Sequence, residues 1–265
     1  MSSSSPRLFA GTAPYYARYR PSYPDQLFRR IVQAFSLDGR GHLLDVGCGP
    51  GTFTLPLSPY FSRVLAIDAD PEMIEEGAMQ ARIQGVGGIE WRNLAAEQIT
   101  PELGRFRLVT IASAFHWMDR DVVLQRCYEV AQRGGGLVIS GGVSSWWESE
   151  ISWHKAVISV IKAWLGPERL TSEGPYTIVE YERFEESLAR SDFELFEHAE
   201  LTYPYVWDIE SIIGFLYSTS FANRSLLGSR TAGFEEEIQE TLGQLSASGR
   251  FQEEITFDYF RARKS

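Results

Sequence analysis

The chain has 265 residues, 44% of them hydrophobic, which suffices for a substantial core and for one α/β domain with an elaboration, or one and a half domains. Asp and Glu number 35 against 25 Lys and Arg, so the formal net charge is −10. This charge disfavours nucleic acid, whose non-specific binding depends on phosphate neutralisation, and disfavours an anionic membrane surface.

The cysteines and the hydropathy pattern indicate a cytoplasmic protein. The two cysteines, Cys48 and Cys127, suit a reducing compartment, and neither has a zinc-type spacing to histidine. The N-terminus lacks a basic segment followed by an apolar one, and no apolar run is long enough to span a bilayer. We therefore expect no signal peptide, no membrane association and no metal.

The N-terminal segment is rich in tyrosine, arginine and proline. Residues 15–24 contain four tyrosines, two arginines and two prolines, and Pro21 and Pro24 prevent a helix from continuing. This stretch is either an arm pinned over the core by its rings or a lid whose Arg and Tyr hold a ligand carboxylate. Apolar residues at helical spacing predict an amphipathic helix over residues 25–36.

The most informative stretch is residues 42–52. A short apolar run reaches Asp45, and glycine follows at every second position, at Gly47, Gly49 and Gly51. Glycine permits positive φ and a close approach of backbone to ligand. The pattern predicts a strand, a ligand-binding turn and a helix over residues 53–57, although glycine also serves turns for purely structural reasons.

A second apolar run, residues 63–68, also ends in an acid. Asp68 follows Asp45 by 23 positions, which leaves room for a crossover helix between two parallel strands. A carboxylate at this distance after a glycine turn suits a ribose diol, and a loop acid or helix cap is the alternative. Asp70 and Pro71 then predict a helix start, with Met73 in its first turn beside a ligand or in the core.

These stretches resemble the motifs of class I S-adenosylmethionine-dependent methyltransferases. Residues 44–51 have the family's Asp and its G-x-G-x-G spacing, whereas a dinucleotide fingerprint would require G-x-G-x-x-G. Residues 66–74 and 112–119 are similar to the family's later motifs, and the resemblance covers roughly residues 8–143. It implies S-adenosylmethionine as the cofactor, with no metal.

The resemblance also implies a set of cofactor-binding positions. The family often carries an acid for the adenine amino group where this chain has Ala95, with Ala96 and Glu97 intact. That departure leaves a backbone amide as the expected adenine contact. The implied positions are Tyr16, Arg20, Asp45, Gly47, Cys48, Gly49, Gly51, Asp68, Ala69, Met73, Ala95, Ala96, Glu97, Ser113, Ala114 and His116.

Residues 89–92 and 107–112 are predicted as the third and fourth strands. The fourth leads into Ser113–Trp117, where the resembled family admits the methyl acceptor. An unperturbed histidine titrates near 6.5, so His116 could accept a proton from an acceptor hydroxyl as the catalytic base. The alternative is that His116 and Trp117 fix the loop or form the floor of the cofactor pocket.

The C-terminal half completes the sheet and adds a cap. The pattern predicts a helix over 122–132, an exit turn over 133–136, and a fifth strand over 137–142. A loop is expected over 171–177, strands over 193–205 and 251–261, and further helices over 153–164, 181–190, 208–217 and 233–245.

Aromatic residues are concentrated after residue 143. Four of the seven tryptophans lie between 146 and 164. The segments 144–180 and 206–230 predict a cap over the carboxyl ends of the strands, because ligand pockets are mostly apolar. A subdomain packed on itself or a dimer interface is the alternative. The candidate substrate-pocket residues are Tyr23, Trp117, Trp146, Trp147, His154, Tyr176, Tyr217 and Phe221.

Together these features predict an α/β, Rossmann-like, doubly wound sheet of seven mostly parallel strands with an antiparallel last strand and a helical cap. Residues 1–36 are expected to form a lid, 37–143 the cofactor-binding core, and 144–265 the rest of the sheet with the inserted cap.

The resemblance implies methyl transfer to a small molecule, as in the trans-aconitate and natural-product methyltransferases, on a hydroxyl, carboxylate or carbon, by a monomer or homodimer. Two other classes stay open, a non-catalytic nucleoside-binding regulator and a nicotinamide oxidoreductase. The first would bind the cofactor without turnover, and the glycine spacing disfavours the second.

Overall fold

A seven-stranded sheet forms the centre of the chain in the computed structural model, which describes residues 9–141, 146–168, 170–171, 174–175 and 183–265. The spatial order is β3-β2-β1-β4-β5-β7-β6, with β1–β5 parallel and β7 antiparallel to both β5 and β6. This confirms the predicted fold class. The strands are β1 (His42–Val46), β2 (Arg63–Asp68), β3 (Ile89–Asn93), β4 (Phe106–Ala112), β5 (Ala131–Ser140), β6 (Glu194–Asp208) and β7 (Arg250–Arg263).

Helices connect the strands and build the cap. Helix α4 begins as expected, because Pro71 takes the first position and the Asp70 side chain accepts the Glu72 N–H. No helix among the described residues has the length and apolar character needed to cross a membrane. The helices are α1 (Ala13–Tyr19), α2 (Asp25–Ala34), α3 (Thr54–Leu57), α4 (Pro71–Ile83), α5 (Arg120–Val130), α6 (Ser152–Leu165), α7 (Phe184–Arg190), α8 (Ile209–Tyr217), α9 (Arg224–Leu227) and α10 (Thr231–Leu245).

The N-terminal arm contains the seven-residue helix α1, which ends at Tyr19. Arg20 has extended backbone because it precedes Pro21, in agreement with the expectation that this proline prevents a helix from continuing. Two local expectations need correction. The glycine-rich run 133–136 lies inside β5 rather than in a turn, and the register against β4 shifts there. The expected loop 171–177 includes the two-residue strand Gly174–Pro175, which pairs with Leu170–Thr171.

The hydrophobic core continues from the sheet into the cap. One buried cluster joins Leu43 and Leu108 of the central strands to Trp153 and Leu216 of cap helices α6 and α8. On β7, Phe257 belongs to this cluster. Phe260, three residues later, belongs to a second cluster on the opposite face of the sheet. The cap therefore shares its core with the sheet, and the boundary expected at residue 143 stays a prediction.

Candidate cofactor and acceptor site

Of the three glycines in the turn after β1, only one has open space where a side chain would project. A Cβ added to Gly47 would lie 2.5 Å from the Ala114 Cβ, and one added to Gly51 would lie 2.7 Å from the Trp91 ring. At Gly49, with φ of 52°, no heavy atom would lie within 4 Å of an added Cβ. Gly47 and Gly51 are therefore required by protein packing, whereas Gly49 borders a space that a ligand could fill.

The Asp68 carboxylate, at the end of β2, lies against this turn. Its Oδ2 accepts the Gly49 N–H at 2.8 Å, and its Oδ1 accepts the Asp70 N–H at 2.9 Å. Burial raises the pKa of Asp68 to about 6. Each carboxylate oxygen has two lone pairs, so both remain able to accept a hydrogen bond from a ligand hydroxyl. Nearby, Asp70 Oδ2 is buried and accepts no hydrogen bond from the described residues.

Asp45 occupies a different environment from Asp68, although the resemblance implies both as cofactor residues. Its side chain is 1% exposed and accepts hydrogen bonds from Thr54 Oγ1 at 2.5 Å and Thr110 Oγ1 at 2.6 Å. Burial raises its pKa to about 6, partly offset by these two hydrogen bonds. Asp45 thus connects α3 to β4 and holds the end of β1 in place beside the glycine turn.

Replacing Asp45 by asparagine should remove a pH dependence of stability. The carboxyl titrates near its ordinary 3.8 when unfolded and near 6 when folded, so the folded state retains a proton that the unfolded state releases. The wild type should therefore lose about 2–3 kcal/mol of unfolding free energy, relative to Asp45→Asn, as pH rises from 4 to 7. Urea denaturation of both proteins across this range measures the difference; a constant difference would contradict it.

The side on which adenine is expected is apolar and closely packed. Met73 and Ala96 are 5% and 7% exposed, and Ala95 precedes a short 3₁₀ turn in extended backbone. Glu97 accepts the backbone N–H of Asp119 at 3.1 Å, at the start of α5. Glu97 therefore braces the neighbouring loop, and its role toward a cofactor stays a prediction.

The N-terminal arm covers a cleft beside the glycine turn. The cleft has a volume of about 270 Å³ including its open mouth. Within it the Tyr23 hydroxyl and Ser113 Oγ are 2.6 Å apart, and Ser113 has a φ of 53°, a strained value for a residue with a side chain. Such strain is typical of functional loops. The cleft is lined by Tyr16, Arg20, Pro21, Tyr23, Thr52, Ser113 and Phe257.

Arg20 brings a buried positive charge to this cleft. Its guanidinium carbon lies 4.7 Å from the Tyr16 ring centre and 4.9 Å from that of Phe215. Nε and Nη2 donate to the side chain and the carbonyl of Ser218 at 2.8 and 3.1 Å. Burial lowers the pKa of Arg20, and no carboxylate of the described residues pairs with it. The arrangement suits an anionic ligand group.

The loop after β4 places His116 and Trp117 in a short 3₁₀ turn, Phe115–Trp117. Both side chains are partly exposed, their rings lie 4.8 Å apart, and the Trp117 ring meets Phe9 of the arm edge-on at 5.6 Å. Ala114 of the same loop packs closely against the backbone of the glycine turn at Gly47. The assignment of His116 as a base stays a prediction.

The structure buries several of the predicted pocket residues. Trp146, His154 and Tyr217 are 4%, 1% and 3% exposed, so they belong to the interior of the cap rather than to an open pocket wall. Trp146 stacks on His154 at 4.7 Å, and the Tyr217 hydroxyl donates to Glu235 at 2.8 Å. Trp146 and His154 are thus buried against each other, whereas the Tyr217 ring meets Tyr15 of α1 edge-on at 5.3 Å.

The other pocket candidates lie in more open positions. Trp147 and Phe221 are partly exposed, with ring centres 5.6 Å apart, and Tyr23 lines the cleft. Tyr176 lies outside the described residues. Thr52, Phe257 and Ser218 were not predicted from the sequence, because a polar or aromatic residue at those positions carries no local signal of its distant partners.

The polar groups at the edge of the sheet fit a nucleoside cofactor. Within the part of the chain that the structure describes, no three His, Cys, Asp or Glu side chains lie close enough to hold a metal ion. The open space at Gly49 lets a ligand approach the backbone closely, and the Asp68 carboxylate can accept hydrogen bonds from hydroxyls. Arg20, which pairs with no carboxylate of the described residues, can donate to a ligand carboxylate.

Sequence comparison identifies the core of the chain. Residues 43–135 match the family model described as a methyltransferase domain. A Dictyostelium discoideum protein provisionally named a methyltransferase is 28% identical over 131 residues, 49% of this chain and 47% of that one. An uncharacterised RNA methyltransferase of Nostoc is 30% identical over 80 residues, 30% of this chain and 17% of that one. The chain thus spans about half the length, or less, of these curated relatives.

Solved structures share the fold over nearly the whole chain. An Anaeromyxobacter dehalogenans protein, provisionally described as a type II methyltransferase, superposes with a TM-score of 0.57 at 22% identity, covering 93% of this chain and 98% of the other. The [4+2]-cyclase SpnF superposes with a TM-score of 0.54 at 19% identity, covering 93% and 83%. At these identities the likeness establishes the fold alone.

Proposed function

Because this chain belongs to the class I S-adenosylmethionine-dependent methyltransferases, we propose that it transfers a methyl group from S-adenosylmethionine to a small-molecule acceptor. The observation that carries the proposal is the glycine turn, with open space at Gly49 and the Asp68 carboxylate bonded to its amide. The cofactor would supply an electrophilic methyl group on a sulfonium. The protein then has to bind the cofactor and the acceptor, align the acceptor atom with the methyl group, and exclude water.

Each part of the site has a separate task in this proposal. Asp68 accepts the ribose hydroxyls, Met73 and Ala96 pack against adenine, and Arg20 pairs with the carboxylate of the methionine end. Tyr23 and Ser113 face the cleft where the acceptor would meet the methyl carbon. Helix α1 and the cap close over that point, which would keep water away from the reacting atoms.

Two features favour a small acceptor over RNA. The net charge of −10 opposes binding to a phosphate backbone, and the cleft beneath the arm has a volume of only about 270 Å³ including its open mouth. The RNA methyltransferase name of the Nostoc relative is the observation that favours the rival, on a match of 80 residues. A non-catalytic nucleoside binder is the other alternative, and it would bind the cofactor without turning over any acceptor.

Transfer of a labelled methyl group distinguishes these alternatives. The protein is incubated with S-adenosylmethionine labelled in the methyl group and with either a small-molecule extract or total RNA. Label in the extractable small molecules would support the proposal, and label in acid-precipitated RNA would replace it with the RNA activity. Tight binding of S-adenosylhomocysteine without transfer to either pool would favour the non-catalytic binder.

Once an acceptor is known, His116→Ala tests the proposed base. If His116 takes a proton from an acceptor hydroxyl, we expect kcat to fall by about 100-fold or more, while the Kd for S-adenosylhomocysteine changes little. The kcat of the wild type should also fall as pH drops below the histidine pKa. Equal losses in cofactor affinity and kcat would instead mean that His116 fixes the cofactor pocket.

A further inference from the structure

The cap residue Ser218 holds the guanidinium of Arg20 from two sides. Its Oγ accepts Nε–H at 2.8 Å and its carbonyl accepts Nη2–H at 3.1 Å, across 198 positions of sequence. A guanidinium has five N–H donors, so these two bonds leave three, including both on Nη1. The Tyr16 and Phe215 rings lie close to the group, and its remaining donors point outward in the guanidinium plane.

Ser218 is itself fixed before any ligand binds. It is fully buried, its hydroxyl donates to the Phe215 carbonyl at 2.6 Å, and its N–H donates to the Gly214 and Phe215 carbonyls. Since the hydroxyl proton goes to Phe215, the oxygen lone pairs face Arg20 Nε–H. The following loop is also closed internally, by a bond from Asn223 Nδ2 to the Thr219 carbonyl at 3.1 Å.

Helix α1, which carries the arm up to Arg20, depends on cap helix α8. A side chain at Gly214 would overlap the Tyr19 ring, so the ring lies directly on the α8 backbone. Arg18 Nη2 and the Tyr19 hydroxyl both donate to Glu210 at 2.9 Å. A helix of seven residues is marginal alone in water, so these cap contacts maintain it. Arm and α8 therefore act as one unit.

From these contacts we propose that Ser218 is a positioning residue for cofactor binding: it directs Arg20 toward the carboxylate at the methionine end, so part of the cofactor site belongs to the cap. The inference rests on the proposed function. A buried guanidinium is costly without a counter-ion, and no carboxylate of the described residues supplies one. A ligand carboxylate would supply it, with Arg20 already held in the orientation for bidentate pairing.

The test compares two ligands that differ at the methionine end. S-adenosylhomocysteine has the carboxylate, whereas 5′-deoxy-5′-methylthioadenosine has the same nucleoside and sulfur without it. Calorimetry on the full chain measures both Kd values for the wild type, Ser218→Ala, Arg20→Met and the double variant. Ser220→Ala is the matched control, a buried serine in the same loop that is not one of the hydrogen-bond partners of Arg20.

We expect Ser218→Ala to weaken the binding of S-adenosylhomocysteine by roughly tenfold and Arg20→Met to weaken it by roughly 100-fold. In both variants the Kd for methylthioadenosine should change by less than about threefold. The double variant should match Arg20→Met, because Ser218 acts through Arg20. Ser220→Ala should change neither affinity.

Three results would overturn the inference. An unchanged Kd for S-adenosylhomocysteine in Ser218→Ala would show that Arg20 needs no positioning. Equal weakening of both ligands would show that Ser218 serves only the folding of the cap. Independent, additive losses in the double variant would show that Ser218 does not act through Arg20. Failure of the wild type to bind either ligand would remove the proposed function itself, and this inference with it.

Discussion

Replacement of Asp68 by alanine should weaken S-adenosylhomocysteine binding by about 100-fold or more. The carboxylate is hydrogen-bonded to the amides of Gly49 and Asp70, so it is already fixed where ribose hydroxyls would approach. A hydrogen bond to a charged group contributes about 1.5–3 kcal/mol, and two hydroxyls would make two such bonds. Calorimetric titration measures the loss, and Asp25→Asn, which removes an exposed charge from α2, controls for net charge.

The same carboxylate predicts a pH dependence of binding. Burial raises the pKa of Asp68 to about 6, and only the ionised form accepts through both oxygens. Affinity should therefore fall as pH drops through 6, approaching tenfold for each unit below it. Asp68→Asn should bind weakly at every pH, with no change across this range. If Asp68→Ala binds as tightly as the wild type, the ribose does not lie at this acid.

The features predicted correctly are those set by short stretches of sequence. The apolar runs that end at Asp45 and Asp68 indicated two parallel strands, and the cap of α4 followed from Asp70 and Pro71. Each depends on neighbours in sequence: a continuous apolar run for a strand buried on both faces, a carboxylate at a helix start, and a proline nitrogen that has no N–H. Local physics also explains the arm, where Pro21 terminates α1. The position of that helix against α8 had no such local signal.

Long-range contacts were beyond prediction from one sequence. Ser218 follows Arg20 by 198 positions, and nothing in the serine's own neighbourhood indicates a guanidinium partner. Thr54 and Thr110, which donate to Asp45, are likewise ordinary threonines on different elements. These contacts arise only when the sheet places its strands side by side, so their partners are defined by topology rather than by spacing.

The aromatic cap shows what composition leaves open. Tryptophans concentrated after residue 143 were compatible with a pocket wall and with a subdomain packed on itself; Trp146 and His154 pack inside the cap, and Trp207 Nε1 donates to Glu253 at 2.7 Å within the same cluster. Composition indicates that aromatic area is to be buried. It does not indicate whether the ring is covered by a ligand or by another ring.

Two substitutions in the glycine turn distinguish its role in protein packing from its role in ligand binding. Gly47→Ala would place a Cβ 2.5 Å from the Ala114 Cβ at a φ of 63°. Left-handed backbone costs about 1–2 kcal/mol and overpacking about 1–3 kcal/mol, so we expect a loss of roughly 2–5 kcal/mol in unfolding free energy. The double variant Gly47→Ala/Ala114→Gly should recover the overpacking part, as measured by urea denaturation.

Gly49→Ala should behave in the opposite way. Its φ of 52° costs about 1–2 kcal/mol, but no protein atom lies within 4 Å of the added Cβ, so the chain should remain folded. The methyl group would project into the space beside the Asp68 carboxylate, and we expect a loss of about 100-fold in S-adenosylhomocysteine affinity, since close backbone approach is what a glycine here permits. If Gly49→Ala binds normally while Gly47→Ala is destabilised, the turn is a packing feature, and the cofactor must lie elsewhere along the edge of the sheet.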